Sequence, residues 1–277
     1  MQKLCMQTPE WPNNTPVGTA RTTPPDSSTL AVKENMMQIP FIPKEYSYIK
    51  CHDFRLWYSE DELKSQIELI IEAIEYALDY VRSKFNFKNL RKIEICLYHS
   101  NHQAISSLNR NITGSMAMAP FSTDQGGLVI VQSTAADPVN GNLQRMRRIL
   151  AHEICHLFIR EKSGSSQCLG DGLKNLKVRP YLDEGLAEYL SWRSIGKRNP
   201  ILDEDFECID NLEEVDYFLN DLSSYKRVQA FYTSSCLVEF YINELGLLTF
   251  FESMKKLSEI IEPPTIAFTA TAKSRRA

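Results

Sequence analysis

The sequence predicts an α+β fold: a small twisted sheet carries one long helix, and a mostly helical region follows. Two observations lead to this prediction. In the first half of the chain, short segments of alternating or β-branched residues surround one long segment whose apolar residues have helical spacing. In the second half, apolar residues recur at intervals of three and four. We therefore expect the strands to precede most of the helices.

The expected elements follow from these local patterns. The strands are predicted at residues 54–58, 91–98, 114–119 and 127–132, and the last two are expected to pair as a hairpin. The long helix is predicted at residues 62–85, and a short one at residues 102–108. The helices of the second half are predicted at residues 143–161, 183–194, 228–244 and 249–261. A surface loop rich in Gly and Ser is expected at residues 163–178.

One folded domain is expected between two tails. Residues 1–48 hold more than half of the 13 prolines and lack apolar periodicity, so we expect them to be disordered. Residues 49–262 are expected to form the domain, with an upper part that carries the sheet (49–161) and a lower helical part (162–262). Residues 263–277 are expected to form a flexible C-terminal tail.

Composition excludes several classes of function. The chain of 277 residues is 43% hydrophobic and 24% charged, as is typical of a soluble globular protein. Its formal net charge is -4, so the chain lacks the excess of basic residues that is typical of a nucleic-acid-binding protein. No apolar stretch is long enough to span a membrane. The 7 cysteines form no C-x-x-C pair, and the first residues lack the apolar stretch of a signal peptide, so we expect a cytoplasmic location. The sequence does not indicate an oligomeric state.

The chemistry is concentrated first in the motif H-E-x-x-H. Residues four apart on a helix lie on one face, so His152 and His156 can direct two imidazoles at one ion. Zinc suits imidazole and keeps an open position when three protein ligands bind it. Glu153 can then take a proton from a zinc-activated water that attacks a carbonyl. The motif predicts one catalytic Zn²⁺, and the alternative is a pair of ordinary half-buried histidines.

A second, acidic motif follows near the start of the next predicted helix. Glu184 is the expected third ligand, a carboxylate that completes a His₂Glu site. Glu188, one turn later, is expected to hydrogen-bond the free ring nitrogen of His152; the alternative is a solvated surface carboxylate. Asp183 is predicted to cap the helix N-terminus rather than to bind metal.

H-E-x-x-H followed by D-E-G-x-A-E-Y at residues 183–189 resembles the signature of the gluzincin metallopeptidases, and in particular of the small peptidase-MA-like or minigluzincin group. The resemblance covers about residues 54–257. It implies a zincin-like fold and zinc-dependent hydrolysis of peptide bonds in peptide or protein substrates. The site residues that it implies are the ligands His152, His156 and Glu184 and the general base Glu153.

The resemblance implies two further features. Tyr232 is the best match by order to the Tyr or His with which larger gluzincins stabilise the oxyanion, although a buried helical tyrosine more often serves packing. Zincins also bind substrate as an extended strand beside a sheet edge, and the β-branched strand 127–132 is the expected edge. Its central residues are Leu128, Val129, Ile130 and Val131. The alternative is that this strand is internal and fully paired.

Other interpretations of these patterns stay open. The chain could be a non-catalytic peptide-binding or regulatory module that retains a zinc site, or a zinc hydrolase of a non-peptide amide or ester. An intact Glu153 argues against the first alternative, because a structural site needs no general base. The basic run Arg145, Arg147 and Arg148 is interpreted as a solvated face, and Cys155 as a core residue.

Overall fold

The structure is a computed structural model, and it describes residues 42–60, 64–85, 93–98, 117–123, 126–132, 142–164, 178–204, 206–221 and 225–258. Several predicted features lie outside these residues. They are the short helix 102–108, most of the loop 163–178, most of the N-terminal tail and the whole C-terminal tail.

Five strands form one mixed sheet in the described part of the chain. They are β1 (Ser47–Lys50), β2 (Phe54–Tyr58), β3 (Ile93–Tyr98), β4 (Ala117–Thr123) and β5 (Gly126–Gln132). Their order across the sheet is β1-β2-β3-β5-β4. The three inner strands run parallel, and β1 and β4 pair antiparallel at the two edges. The parallel pairing of β2 with β3 requires a crossover, which the long helix between them provides.

The first strand overlaps the end of the predicted N-terminal tail, so the tail boundary at residue 48 is wrong. Ser47 and Tyr48 pair with Tyr58 and Trp57 of β2. The rings of Tyr48 and Trp57 also pack with their centroids 4.9 Å apart. Tyr46, just before the strand, is buried. The prolines that precede this segment obscure a short alternating pattern that begins at Tyr46.

The last strand, β5, is internal, so the prediction that it forms the substrate-binding edge is wrong. Its backbone pairs with β3 on one side and with β4 on the other. Its central residues Leu128, Val129, Ile130 and Val131 therefore lie within the sheet. A continuous apolar run is typical of an inner strand of a parallel sheet. The edge position belongs to β4, where Pro120 is compatible with an edge strand.

Six α-helices and one 3₁₀ turn complete the described part of the chain. They are α1 (Lys64–Phe85), α2 (Asn142–Ser163), α3 (Pro180–Ser194), the 3₁₀ turn Pro200–Asp203, α4 (Leu212–Asn220), α5 (Arg227–Leu245) and α6 (Leu247–Leu257). The 3₁₀ turn and α4 were not predicted, although Asn211 caps α4 by accepting a hydrogen bond from the Glu213 amide at 2.8 Å. Among the helices described, none is both long and apolar enough to cross a membrane.

One apolar core joins the sheet to the helices. It includes Leu56, Ile95 and Val129 from the sheet, Ile74 from α1, and Cys155 from α2, which is buried as predicted. α1 packs along α2, and α2 packs against α3 and β4. α3 in turn packs against α5. The chain is thus an α+β protein, mostly helical, in which α2 contacts both the sheet and the helical region.

Candidate metal centre

The candidate site lies where α2 and α3 face each other. Four basic side chains of α2 follow one another at intervals of four residues and so share one face of the helix. They are Arg148, His152, His156 and Arg160. α3 meets this face with three carboxylates, those of Asp183, Glu184 and Glu188. The packing of the two helices therefore brings two histidines, flanked by two arginines, against three acids.

Three ligand atoms converge between these helices. His152 Nε2 and His156 Nε2 lie 3.1 Å apart. Glu184 Oε2 lies 3.4 Å from the first nitrogen and 3.7 Å from the second. Ligand atoms about 2.0–2.1 Å from a tetrahedral ion lie roughly 3.4 Å from one another. The triangle formed by these three atoms therefore has the size that one zinc ion needs.

Asp183 contacts His156 and does not cap α3, so its predicted role is wrong. The helix begins at Pro180, with Arg179 in the N-cap position, and Asp183 lies within the first turn. Asp183 Oδ1 lies 2.7 Å from His156 Nδ1, and both side chains are buried. We assign the proton of a neutral His156 to Nδ1, where it is donated to this carboxylate. The Nε2 lone pair of His156 then points at the triangle.

Glu188 lies beside His152, as Asp183 lies beside His156. Its Oε1 lies 3.4 Å from His152 Nδ1, and its side chain is 18% exposed. Its Oε2 accepts a hydrogen bond from Trp192 Nε1 at 2.9 Å. Glu188 is therefore not a solvated surface carboxylate, and it is placed to keep His152 protonated on Nδ1. The contribution of Trp192 was not predicted, although it lies one helical turn after Glu188.

Arg148 and Arg160 lie at the two ends of the histidine pair. Arg160 Nη2 is 3.7 Å from Asp183 Oδ2, and Arg148 Nη1 is 3.9 Å from Glu188 Oε2. The guanidinium of Arg148 also lies over the Trp192 ring, 4.5 Å from its centroid. The interpretation of Arg148 as part of a solvated face is thus wrong. The two acids that face the Nδ1 atoms of the histidines, Asp183 and Glu188, are thus each accompanied by an arginine.

The charges of the site favour a bound cation. The two arginines balance two of the four carboxylates, which include Glu153, and a divalent ion would balance the other two. Burial alone would lower the pKa of His152, but Glu184 and Glu188 outweigh it and hold that pKa well above its usual value. Burial alone would raise the pKa of Glu184, but His156 and His152 outweigh it and lower that pKa to about 2. The two shifts describe one interaction: Glu184 and Glu188 favour a proton on His152, and the two histidines keep Glu184 ionised, so a metal ion bound here would replace that proton.

Glu153 is a buried carboxyl group next to the first histidine of α2. Burial raises its pKa, and the imidazoles of His152 and His156 offset only part of that rise. A carboxyl group with a raised pKa can both accept a proton and return it nearer neutral pH. The environment of Glu153 therefore suits a general base.

Tyr232 lies on the face of α5 that points away from α3. α5 faces α3 with Ser234, whose hydroxyl donates a hydrogen bond to the carbonyl oxygen of Tyr181 at 2.8 Å. Tyr232 precedes Ser234 by two residues, which is a rotation of about 200° on a helix. The two side chains therefore lie on opposite faces of α5. Tyr232 is instead buried in a separate apolar cluster with Leu202 and Cys236. We therefore assign Tyr232 to packing, and the predicted oxyanion role gains no support.

No protein-family model matches the chain, and no curated protein matches it. Its function is therefore inferred from the residues and geometry of the site.

Proposed function

We propose that this chain is a zinc metallopeptidase of the gluzincin type, with a zincin-like arrangement of sheet and helices. The observation that carries the proposal is the triangle of His152 Nε2, His156 Nε2 and Glu184 Oε2, with sides of 3.1, 3.4 and 3.7 Å. Two imidazoles and one carboxylate are a donor set of catalytic zinc sites, which leave a fourth position open. Glu153, which is buried and interacts electrostatically with all three residues of the triangle, supplies a base that a structural zinc site would not need.

The donor set favours a transition metal such as zinc over magnesium and calcium. Magnesium and calcium prefer sites made of oxygen ligands alone, whereas imidazole suits zinc and its neighbours among the transition metals. The acids behind the two histidines, Asp183 and Glu188, increase the basicity of the imidazoles that would bind the ion. Two unbalanced negative charges in the site match a divalent ion.

A bound zinc ion and the residues of the chain would contribute different parts of the proposed chemistry. Zinc bound here would polarise the substrate carbonyl and lower the pKa of a water molecule toward neutrality. Glu153 accepts a proton from that water on a carboxylate oxygen and then donates it to the leaving amine. Asp183 accepts the Nδ1 proton of His156, and Glu188 Oε1 lies 3.4 Å from His152 Nδ1, so that both Nε2 atoms stay free to bind metal.

We propose that substrate lies along β4 rather than β5. β4 is an edge strand, and it packs against α2, which carries the H-E-x-x-H motif. An extended peptide can add to such an edge through backbone hydrogen bonds. The other edge strand, β1, lies across the full width of the sheet. A peptide bound to the inactive Glu153→Gln variant is expected to slow amide hydrogen exchange in β4 and not in β1. Unchanged exchange in β4 would rule out this binding mode.

The proposed activity is tested with the same Glu153→Gln variant. Zinc-loaded wild-type protein is expected to cleave an unfolded protein such as casein and members of a peptide library. Glu153→Gln is expected to keep its zinc and its fold but to lose about two to four orders of magnitude in kcat, the usual scale for a general base. Glu68→Gln, which changes an exposed carboxylate on α1, is the control and is expected to keep full activity.

Zinc content and Tm are measured on the same preparations. Retained peptidase activity in Glu153→Gln would remove Glu153 from the mechanism. Wild-type protein that holds zinc and cleaves other amides or esters, but no peptide, would be a non-peptide hydrolase. Wild-type protein that holds zinc without any hydrolysis would be a binding module.

A further inference from the structure

Two cysteines lie between α5 and the segment that precedes α4. Cys236 of α5 is buried in the small apolar cluster that also contains Leu202. Cys208 is half-buried and packs against the same cluster. Both residues are free thiols, and the proposed peptidase mechanism uses neither.

The two neighbours of Cys208 fix its position against α5. On one side, the carbonyl oxygen of Glu207 accepts a hydrogen bond from Gln229 Nε2 at 2.7 Å. On the other side, the amide of Ile209 donates a hydrogen bond to Thr233 Oγ1 at 3.0 Å. Because both bonds hold the backbone to α5, the thiol between them is held beside the helix.

Cys208 packs against the small cluster that contains Cys236, and the bonds on either side of Cys208 hold it near Thr233, one helical turn before Cys236. Cys236, together with burial, raises the pKa of Cys208. A raised pKa makes the thiolate scarce at neutral pH, so thiol–disulfide exchange is slow there and faster in mild alkali. Because both thiols belong to the same small cluster, however, little rearrangement is needed to bring the two sulfur atoms within bonding distance.

We propose that Cys208 and Cys236 form a reversible intramolecular disulfide, with a low-molecular-weight disulfide such as oxidised glutathione as the oxidant. The thiolate of Cys208, the more exposed of the two, attacks oxidised glutathione and releases one glutathione thiolate. The thiolate of Cys236 then attacks the mixed disulfide at Cys208 and releases the second. The two protein thiols lose two protons and two electrons, and the glutathione disulfide is reduced to two thiols.

The disulfide would close a chain segment that contains α4 and the first half of α5, and both of these support the start of α3. Asp216 of α4 accepts hydrogen bonds from the Tyr181 amide at 2.8 Å and from Arg179 Nε at 2.6 Å. Ser234 of α5 donates to the carbonyl oxygen of Tyr181. Closing this segment restricts the unfolded chain and stabilises the folded state. The inference does not depend on metal binding or on peptidase activity.

The test uses the folded full-length chain, equilibrated with excess oxidised glutathione at about pH 8.5 and digested without reduction. Mass spectrometry is expected to find a Cys208–Cys236 linked peptide in the wild type and in Cys51→Ser, but not in Cys208→Ser. Cys51→Ser is the matched control, because Cys51 is also a half-buried free thiol. Oxidation is expected to raise the Tm of the wild type by about 5 °C, reversibly with dithiothreitol, and to leave that of Cys208→Ser unchanged.

Detection of the Cys208–Cys236 linked peptide in the wild type would support the proposal. If Cys208→Ser does not fold, Cys208→Ala replaces it. Wild-type protein in which Cys208 stays reduced, carries only glutathione, or pairs with another cysteine would overturn the proposal. A linked peptide without any rise in Tm would overturn the stabilising role of the disulfide.

Discussion

Each histidine of the candidate metal centre makes a second ring contact with an acid from α3. His156 Nδ1 lies 2.7 Å from Asp183, and His152 Nδ1 lies 3.4 Å from Glu188. Such contacts determine which ring nitrogen carries the proton, and therefore which one is free for a metal ion. The contact of Asp183 is shorter and more deeply buried, so we expect Asp183 to contribute more to metal affinity.

Asp183→Ala is therefore expected to weaken zinc binding by about 10- to 100-fold, because the ring of His156 loses the partner that orients it. Competition with a chelator of known zinc affinity measures this change at constant pH. Asp203→Ala removes an exposed carboxylate that pairs with Arg198, and it serves as the control with unchanged affinity. An Asp183→Ala variant with normal Tm and wild-type zinc affinity would contradict the assigned role.

The residues of the metal triangle were more predictable than the residues that orient them. A spacing of four residues places His152 and His156 on the same face of a helix, and this does not depend on the tertiary fold. The role of Asp183 depends on where α3 begins, since an acid near a helix start equally suits a cap. The contacts of Arg148 and Arg160 depend on how α3 packs across α2, which local periodicity does not specify.

Among the elements, α3 is positioned by a close approach to α5 at Gly185. A Cβ atom at this position would lie 2.6 Å from Val238 Cγ2 and 2.7 Å from the backbone oxygen of Ser234. A glycine is required here because the neighbouring backbone cannot move without shifting the helix. Since Glu184 precedes Gly185 directly, the same contact fixes the position of the proposed third ligand.

Gly185→Ala is expected to lower stability by about 1–3 kcal/mol, the cost of forcing an extra methyl group into a packed core. It is also expected to weaken zinc binding, because α3 and Glu184 must move relative to α2. Thermal unfolding and chelator competition measure the two effects. Gly196→Ala is the control: its Cβ would meet no atom within 4 Å, although its φ of +71° adds backbone strain. Equal zinc affinity in Gly185→Ala and the wild type would contradict this account of helix placement.

The elements themselves were largely predictable, but the order of the strands was not. Alternation and β-branched residues predicted four of the five strands, because these patterns are local. Strand order depends on which strands meet across long chain separations, so local patterns do not distinguish an inner strand such as β5 from an edge strand. Pro120 in β4 was the available signal, because proline within a strand favours an edge position.

For the whole molecule, a metal ion in the proposed site would join the two parts of the predicted domain. His152 and His156 come from α2 in the upper part, and Glu184 comes from α3 in the lower part. The apolar core is continuous across the same two helices. A ligand that binds only the folded state stabilises it in proportion to the logarithm of its concentration relative to Kd. Bound zinc is therefore expected to stabilise the folded chain whether or not the chain cleaves peptides.

The zinc content of the purified full-length chain shows whether these residues bind a metal ion. After zinc repletion and removal of unbound metal, elemental analysis is expected to find about one zinc per chain in the wild type and in Glu153→Gln. His156→Ala, which removes one corner of the triangle, is expected to retain well below one. Wild-type protein without zinc after repletion, or His156→Ala with a full equivalent of zinc, would contradict metal binding by this triangle.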